Sequence, residues 1–267
     1  MILLNGRKVE LGSFPDGTML IKQFAPQGEA KISWFYEEDR ELVALIYLAN
    51  HLKANGCREA DLYMPYIPNA RQDRVKSGED VFTLKYFAGV INSLGFRQVR
   101  VLDPHSSVSE ALIDNIVIDK PQQYIEAAIE KIRALEGETP SMFYPDEGAG
   151  KRYSGMIPLP YAFGIKKRDW KTGQILGLDV AGDVDSIRGK NILIVDDICS
   201  KGGTFYHSAK KLKELGAANI YLYVTHCENT VFQGDLLTCG FISKVFTTNS
   251  ILHTQHDKIE ITCLPEV

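Results

Sequence analysis

A chain of 267 residues, 45% of them hydrophobic, is long enough for one large domain or two modest ones and rich enough in apolar side chains for packed cores. Its formal charge of −4 shows no basic excess, which argues against nucleic acid as a partner. No apolar run approaches the roughly 20 residues of a membrane helix, no basic segment followed by an apolar core opens the chain, and five scattered cysteines include no Cys-x-x-Cys pair. Reduced thiols, no membrane contact and a cytoplasmic location are therefore expected.

Strand-like segments at 2–4, 19–24 and 31–36 are broken by Asp16-Gly17, which reads as a hairpin turn, and by Gln27-Gly28. From Glu38 to Asn55, Leu42, Leu45, Ile46, Ala49 and Leu52 share one helical face, and Gly56 supplies the stop. A strand at 61–66, a helix at about 82–94 and a strand at 98–102 follow. A further helix at 122–135 leads to Gly137-Glu138-Thr139-Pro140, the expected domain boundary. Beyond it come a strand at 141–144, a short helix at 150–156, a hairpin through 174–184, and strands at 192–195, 220–225, 245–247 and 259–264. Strand and helix in alternation predict an α/β chain of two similar domains, 1–139 and 140–267, each a mainly parallel sheet flanked by helices.

The most informative stretch is 190–206. Ile192 to Val195 reads as a buried parallel strand, Asp196-Asp197 follows at its C-terminal end, and Gly202-Gly203-Thr204 opens an amphipathic helix over 205–215. Glycines let backbone approach an anion, and the N–H groups of a helix start hold phosphate. Two carboxylates beside such a cradle fit a neutral or cationic group, such as ribose hydroxyls or Mg²⁺. Three more polar clusters follow strands: Arg71-Gln72-Asp73-Arg74, whose guanidinium forks suit polyphosphate; Asp103-Pro104-His105; and Tyr144 to Arg152, which contains Asp146 and Gly148 to Lys151. The last is not a Walker loop, because Pro145 stands where the first glycine belongs and Arg152 where Ser or Thr belongs.

The 190–206 stretch resembles the phosphoribosyl-binding motif of phosphoribosyltransferases and ribose-phosphate pyrophosphokinases, and the order of all the clusters resembles the latter family along nearly the whole chain. The resemblance implies phosphoribosyltransferase-like domains and transfer of the diphosphoryl group of ATP to C1 of ribose 5-phosphate. It also implies that Asp196 and Asp197 hold the ribose hydroxyls, while Ser200, Lys201, Gly202, Gly203 and Thr204 hold the 5-phosphate. Arg71, Gln72 and Asp73 match the family's ATP motif, and Phe14-Pro15-Asp16-Gly17 is similar to a hairpin that lends Phe14 and Asp16 to a neighbouring subunit's ATP site. His105 and Asp146 are implied to serve Mg²⁺-ATP. Lys166 and Arg168 fit the Lys-x-Arg pair of the catalytic loop, with Lys167 a rival for the lysine role. A homodimer or higher homo-oligomer follows from the shared hairpin.

Ser200 and Lys201 depart from the family's Asp-Thr, and Thr18 replaces a glutamate after the hairpin turn. Backbone amides still suit the phosphate, and Lys201 adds a cation. Two rivals share the ribose loop: a phosphoribosyltransferase, which should lack the 71–74 motif and His105, and a non-catalytic regulatory homologue, which tends to lose Lys166 to Arg168.

Overall fold

The computed structural model describes residues 1–168 and 175–266, with the side chains of 166–168, 175 and 176 outside that description. The chain forms two units, Met1–Lys120 together with the residues from Leu264 onward, and Pro121–Cys263.

In the first unit, β1 (Ile2–Leu4), β2 (Arg7–Lys8), β3 (Leu11–Ser13), β4 (Met19–Ile21) and β5 (Gly28–Trp34) precede α1 (Arg40–Ala54). They are followed by β6 (Cys57–Tyr63), α2 (Thr83–Ser93), β7 (Gln98–Leu102), α3 (Val108–Leu112) and β8 (Ile116–Asp119). The six-stranded sheet runs β2-β1-β5-β6-β7-β8; its last four strands are parallel, and β3 with β4 forms a separate hairpin. Leu45, Leu48 and Leu52 of α1 and Leu84, Phe87 and Ile91 of α2 pack with Ile32, Leu62, Val99 and Val101 of the sheet. Each such fully buried side chain contributes roughly 1.5–3 kcal/mol, which ties both helices to the sheet.

The second unit contains α4 (Gln122–Glu136), β9 (Ser141–Tyr144), α5 (Glu147–Tyr153), β10 (Tyr161–Arg168), β11 (Ile175–Gly182) and β12 (Ile192–Cys199). Then come α6 (Gly203–Glu214), β13 (Ile220–Cys227), β14 (Lys244–Thr248) and β15 (Ile259–Thr262), with short 3-10 turns at Val184–Ser186 and Asn229–Gln233. The sheet order is β11-β10-β9-β12-β13-β14-β15, parallel throughout except for the edge strand β11. Alternation along β12 divides the core between two faces. Ile192 and Ile194 join Phe205, Ala209 and Leu212 of α6 on one side, and Leu193 and Val195 join Ile125, Ala128, Ile129 and Ile132 of α4 on the other.

That packing explains where the chain divides. The expected boundary was the turn at 137–140, at the end of α4, but the apolar face of α4 packs with Met142, Tyr144, Tyr221, Tyr223 and Phe246, so the helix belongs with the strands that follow it. Glu136 reinforces the docking by accepting from Asn219 Nδ2 at 3.0 Å and from the Tyr221 hydroxyl. Other shifts are local. The strand expected at 19–24 stops at Ile21, α5 begins at Glu147 rather than 150, and β12 runs through Asp196 and Asp197 to Cys199. Asp146 moves the start of α5, because its carboxylate caps the helix by accepting from Ala149 N at 3.1 Å.

Candidate active site

The C-terminal end of β12 gathers the clearest functional groups. Asp197 is buried and Asp196 half-buried, and the Asp197 amide donates to Asp196 Oδ1 at 3.0 Å. Burial, followed by the neighbouring charge of Asp197, pushes the Asp196 carboxyl well above the usual carboxylate range. Such a carboxylate gains from any donor a ligand brings.

After β12, Ser200 and Lys201 lead to Gly202, which takes a left-handed conformation at φ 80° and is the N-cap of α6. Gly203 and Thr204 form the first turn of that helix, whose leading N–H groups lack intrahelical carbonyl partners. The loop is packed from behind. A Cβ on Gly202 would meet the Leu236 side chain at 2.7 Å, and a Cβ on Gly234 would meet the Lys201 carbonyl oxygen at 2.0 Å. These two glycines therefore fix the height of the loop. Glu228 N donates to Cys199 O at 2.8 Å and ties its start to the end of β13.

Asp146 stands at the same sheet edge, after β9, the parallel neighbour of β12. Arg152 of α5 brings its Nη1 to 3.5 Å from Asp197 Oδ2. On the other side, β10 runs parallel to β9 in the register Phe163↔Tyr144 and continues to Arg168. Gly164 permits the passage, since a Cβ there would meet the Pro145 carbonyl oxygen at 2.7 Å. Past the last rung with β9, the backbone of Lys166, Lys167 and Arg168 stays in the sheet through antiparallel pairing with β11; the side chains of these three, and residues 169–174, lie outside the described residues.

In the first unit, the strand-end motif after β6 is differently arranged. Asp73 is buried and receives Arg74 Nε at 2.7 Å and Nη2 at 3.1 Å, a bidentate pair. That pairing, helped by the Ser106 hydroxyl and the His105 charge, lowers the Asp73 pKa. The fork of Arg74 therefore serves Asp73, whereas Arg71 and Gln72 are exposed, with Gln72 Oε1 accepting from Thr83 Oγ1 at 2.9 Å. Asn69 and the buried Asp103 adopt positive φ of 65° and 44° in the two loops of this cluster. Left-handed backbone at a non-glycine residue costs roughly 1–3 kcal/mol and concentrates at functional sites. On the β3–β4 hairpin, Phe14 is half exposed, and the Asp16 carboxylate accepts from Thr18 N at 3.0 Å and from its hydroxyl at 2.7 Å.

The structure thus brings Asp146, Asp196, Asp197 and residues 200–204 together in one unit, and Asp73 with His105 in the other. Sequence reading did not single out Arg152, Gly164, Gly234 or Leu236. Arg152 was visible as part of the 144–152 cluster, but Gly164 and Gly234 carry no sequence signal beyond being glycine.

A parallel sheet whose central strand ends in paired carboxylates and a glycine-opened helix defines a phosphoribosyltransferase-like protein. Residues 170–264 match the phosphoribosyl synthetase-associated domain. Ribose-phosphate pyrophosphokinases of Thermococcus kodakarensis and Pyrococcus abyssi are 31% and 32% identical, over 82% of this chain and 77% and 75% of theirs. The chain belongs to the ribose-phosphate pyrophosphokinase family. The fold agrees: a phosphoribosylpyrophosphate synthetase structure from Mycobacterium smegmatis superposes with a TM-score of 0.80, covering 96% of this chain and 86% of that one at 21% identity.

Proposed function

We propose that this enzyme transfers the β,γ-diphosphoryl group of ATP to the C1 hydroxyl of ribose 5-phosphate. The C1 oxygen attacks the β-phosphorus and loses its proton, the bond from that phosphorus to the α,β-bridging oxygen breaks, and AMP leaves with 5-phosphoribosyl 1-diphosphate as the other product. The observation that carries the reading is the β12–α6 loop, in which paired acids face a backbone cradle closed from behind by Gly202 and Gly234.

The work divides by chemistry. Asp196 and Asp197 accept from the ribose hydroxyls and orient the sugar; the amides of residues 200–204, with the Lys201 ammonium, hold the 5-phosphate. Arg71, Gln72, Asp73 and His105 form the ATP site, with Asp73 holding Arg74 in place. Phe14 and Asp16 complete the ATP site of a neighbouring copy, so the protein acts as a homodimer or larger homo-oligomer. Lys166 and Arg168, or Lys167 in place of the former, neutralise charge on the transferring group.

No group of three or more His, Cys, Asp or Glu side chains forms a metal cage among the described residues. Mg²⁺ fits that sparse donor set, because it is commonly held by one or two carboxylates plus substrate phosphates and water. His105 in the first unit and Asp146 in the second would each offer a donor to Mg²⁺-ATP, and the ion would supply charge neutralisation on phosphate oxygens. No helix among the described residues is long and apolar enough to cross a membrane. All five cysteines are free thiols, which supports a reducing, cytoplasmic setting.

Phosphorus NMR of the protein with ATP, Mg²⁺ and ribose 5-phosphate tests the reading. AMP and a C1-linked diphosphate should appear, and both should be lost in Lys166→Ala and Arg168→Ala. ATP that stays intact while added 5-phosphoribosyl 1-diphosphate still binds would overturn it.

A further inference from the structure

We propose that Arg152 is a positioning residue for the sugar, fixing the Asp197 carboxylate so that it can receive the ribose hydroxyls. The inference rests on the reaction proposed above. Three observations support it. Asp197 is 4% exposed and lies beside a second acid, Asp196, so it needs a countercharge to remain a buried acceptor. Arg152 supplies one, with Nη1 at 3.5 Å from Asp197 Oδ2.

The guanidinium is itself held. Its carbon lies 5.6 Å from the centre of the Tyr153 ring, and Nη1 is 3.5 Å from the Tyr153 hydroxyl. Tyr153 is fully buried and stacks on Tyr144 with centroids 6.4 Å apart and planes 23° apart. Since Tyr144 ends β9, the chain of contacts runs from the sheet through two aromatic rings to a cation and then to the acid. A side chain needed only to solubilise the end of α5 would resemble Lys151, which is exposed and pairs with Glu147 on its own helix.

Isothermal titration of ribose 5-phosphate into the intact protein reads the effect directly, with AMP formation measured alongside. R152Q should weaken ribose 5-phosphate about tenfold, the scale of one charge-assisted hydrogen bond, and raise its KM to match, with the KM for ATP unchanged. R152K, which keeps the charge but not the planar fork, should weaken the sugar less and with the same selectivity. Wild-type affinity in R152Q overturns the proposal, as does an equal loss for ATP and sugar with a collapse of kcat. Should R152Q not fold, R152K decides alone: a selective loss supports the proposal and wild-type affinity overturns it. Wild-type protein that binds ribose 5-phosphate without turning over ATP defeats the reaction and leaves this test intact.

Discussion

The two units place polar clusters at the same kind of position, the C-terminal ends of parallel strands, yet they treat their acids in opposite ways. Asp73 is buried against a bidentate guanidinium from the next residue, and its pKa falls. Asp196 is shielded from water beside Asp197, with Asp146 also near, and burial first and the neighbouring charges second raise its pKa. A carboxylate paired within its own loop is scaffold, and its chemistry is complete before any ligand arrives. Acids buried side by side are costly to charge, and a ligand that donates hydrogen bonds or brings a cation offsets part of that cost.

The sharpest way to break this contrast is to neutralise the adjacent acids. Asp196→Asn and Asp197→Asn should each lower kcat/KM for ribose 5-phosphate on the order of a hundredfold, since each removes a charged acceptor of sugar hydroxyls. Their effects on stability should differ from those on activity. The folded-state pKa of Asp196 lies above the 3.8 of an unperturbed aspartate, so the cost of charging it in the fold is absent below about 3.8 and complete once pH exceeds the folded pKa. Melting followed against pH in a chelator should therefore show Asp196→Asn gaining on the wild type as pH rises. A variant that loses stability at neutral pH would mean that Asp196 is scaffold, like Asp73.

Next in size is the support behind the phosphate cradle. Gly234→Ala forces a Cβ toward the Lys201 carbonyl oxygen, 2.0 Å away in the present backbone, so the loop must shift. Overpacking of this kind costs about 1–3 kcal/mol. The expected outcome is a raised KM for ribose 5-phosphate with the KM for ATP retained, together with a lower Tm. Equal losses for both substrates would show that residue 234 supports the unit as a whole rather than the loop.

The scaffold acid supplies the third comparison. Asp73→Asn removes the anion that Arg74 grips, so Tm at neutral pH should fall and the KM for ATP should rise. The sign with pH is the reverse of that for Asp196. A folded pKa held below 3.8 contributes stability above that value, and the contribution is lost as pH falls through the folded pKa. The gap in Tm between wild type and Asp73→Asn should close toward low pH.

Much of this architecture was legible in the sequence, because β12, α1, α2 and α6 carry uninterrupted apolar runs or clear helical stripes that packing preserves. What escaped were elements whose identity depends on partners far along the chain. Strand β8 has only four residues and follows Asn115 at φ 53°, so its pairing with β7 is its main credential. Residues 161–165 carry no strand signal of their own, and 161–168 become a strand only because β9 and β11 take them up on either side. The placement of α4 turned on aromatic residues from β13 and β14 that no local pattern reveals. In the site, the residue types of Asp196, Asp197 and the glycines announced their chemistry, whereas Arg152 acquires a role only once Asp197 lies beside it.

The smallest expected effect concerns the hairpin, where the acid is satisfied locally as in the first unit's motif but lies fully at the surface. Thr18 holds the Asp16 carboxylate through both its amide and its hydroxyl, and these contacts lower the Asp16 pKa. Thr18→Val keeps the shape and the amide while deleting the hydroxyl. Because the turn is solvated, Tm should not move measurably. If Asp16 serves the ATP site of a neighbouring copy, freeing its carboxylate to sample other orientations should raise the KM for ATP by a small factor and leave the KM for ribose 5-phosphate alone. The same variant should then respond to mixing: adding an inactive Lys166→Ala, Arg168→Ala double variant with an intact hairpin should restore part of the lost ATP affinity in mixed dimers. Absence of that rescue, with the KM for ATP still raised, would assign the hairpin to the ATP site of its own chain.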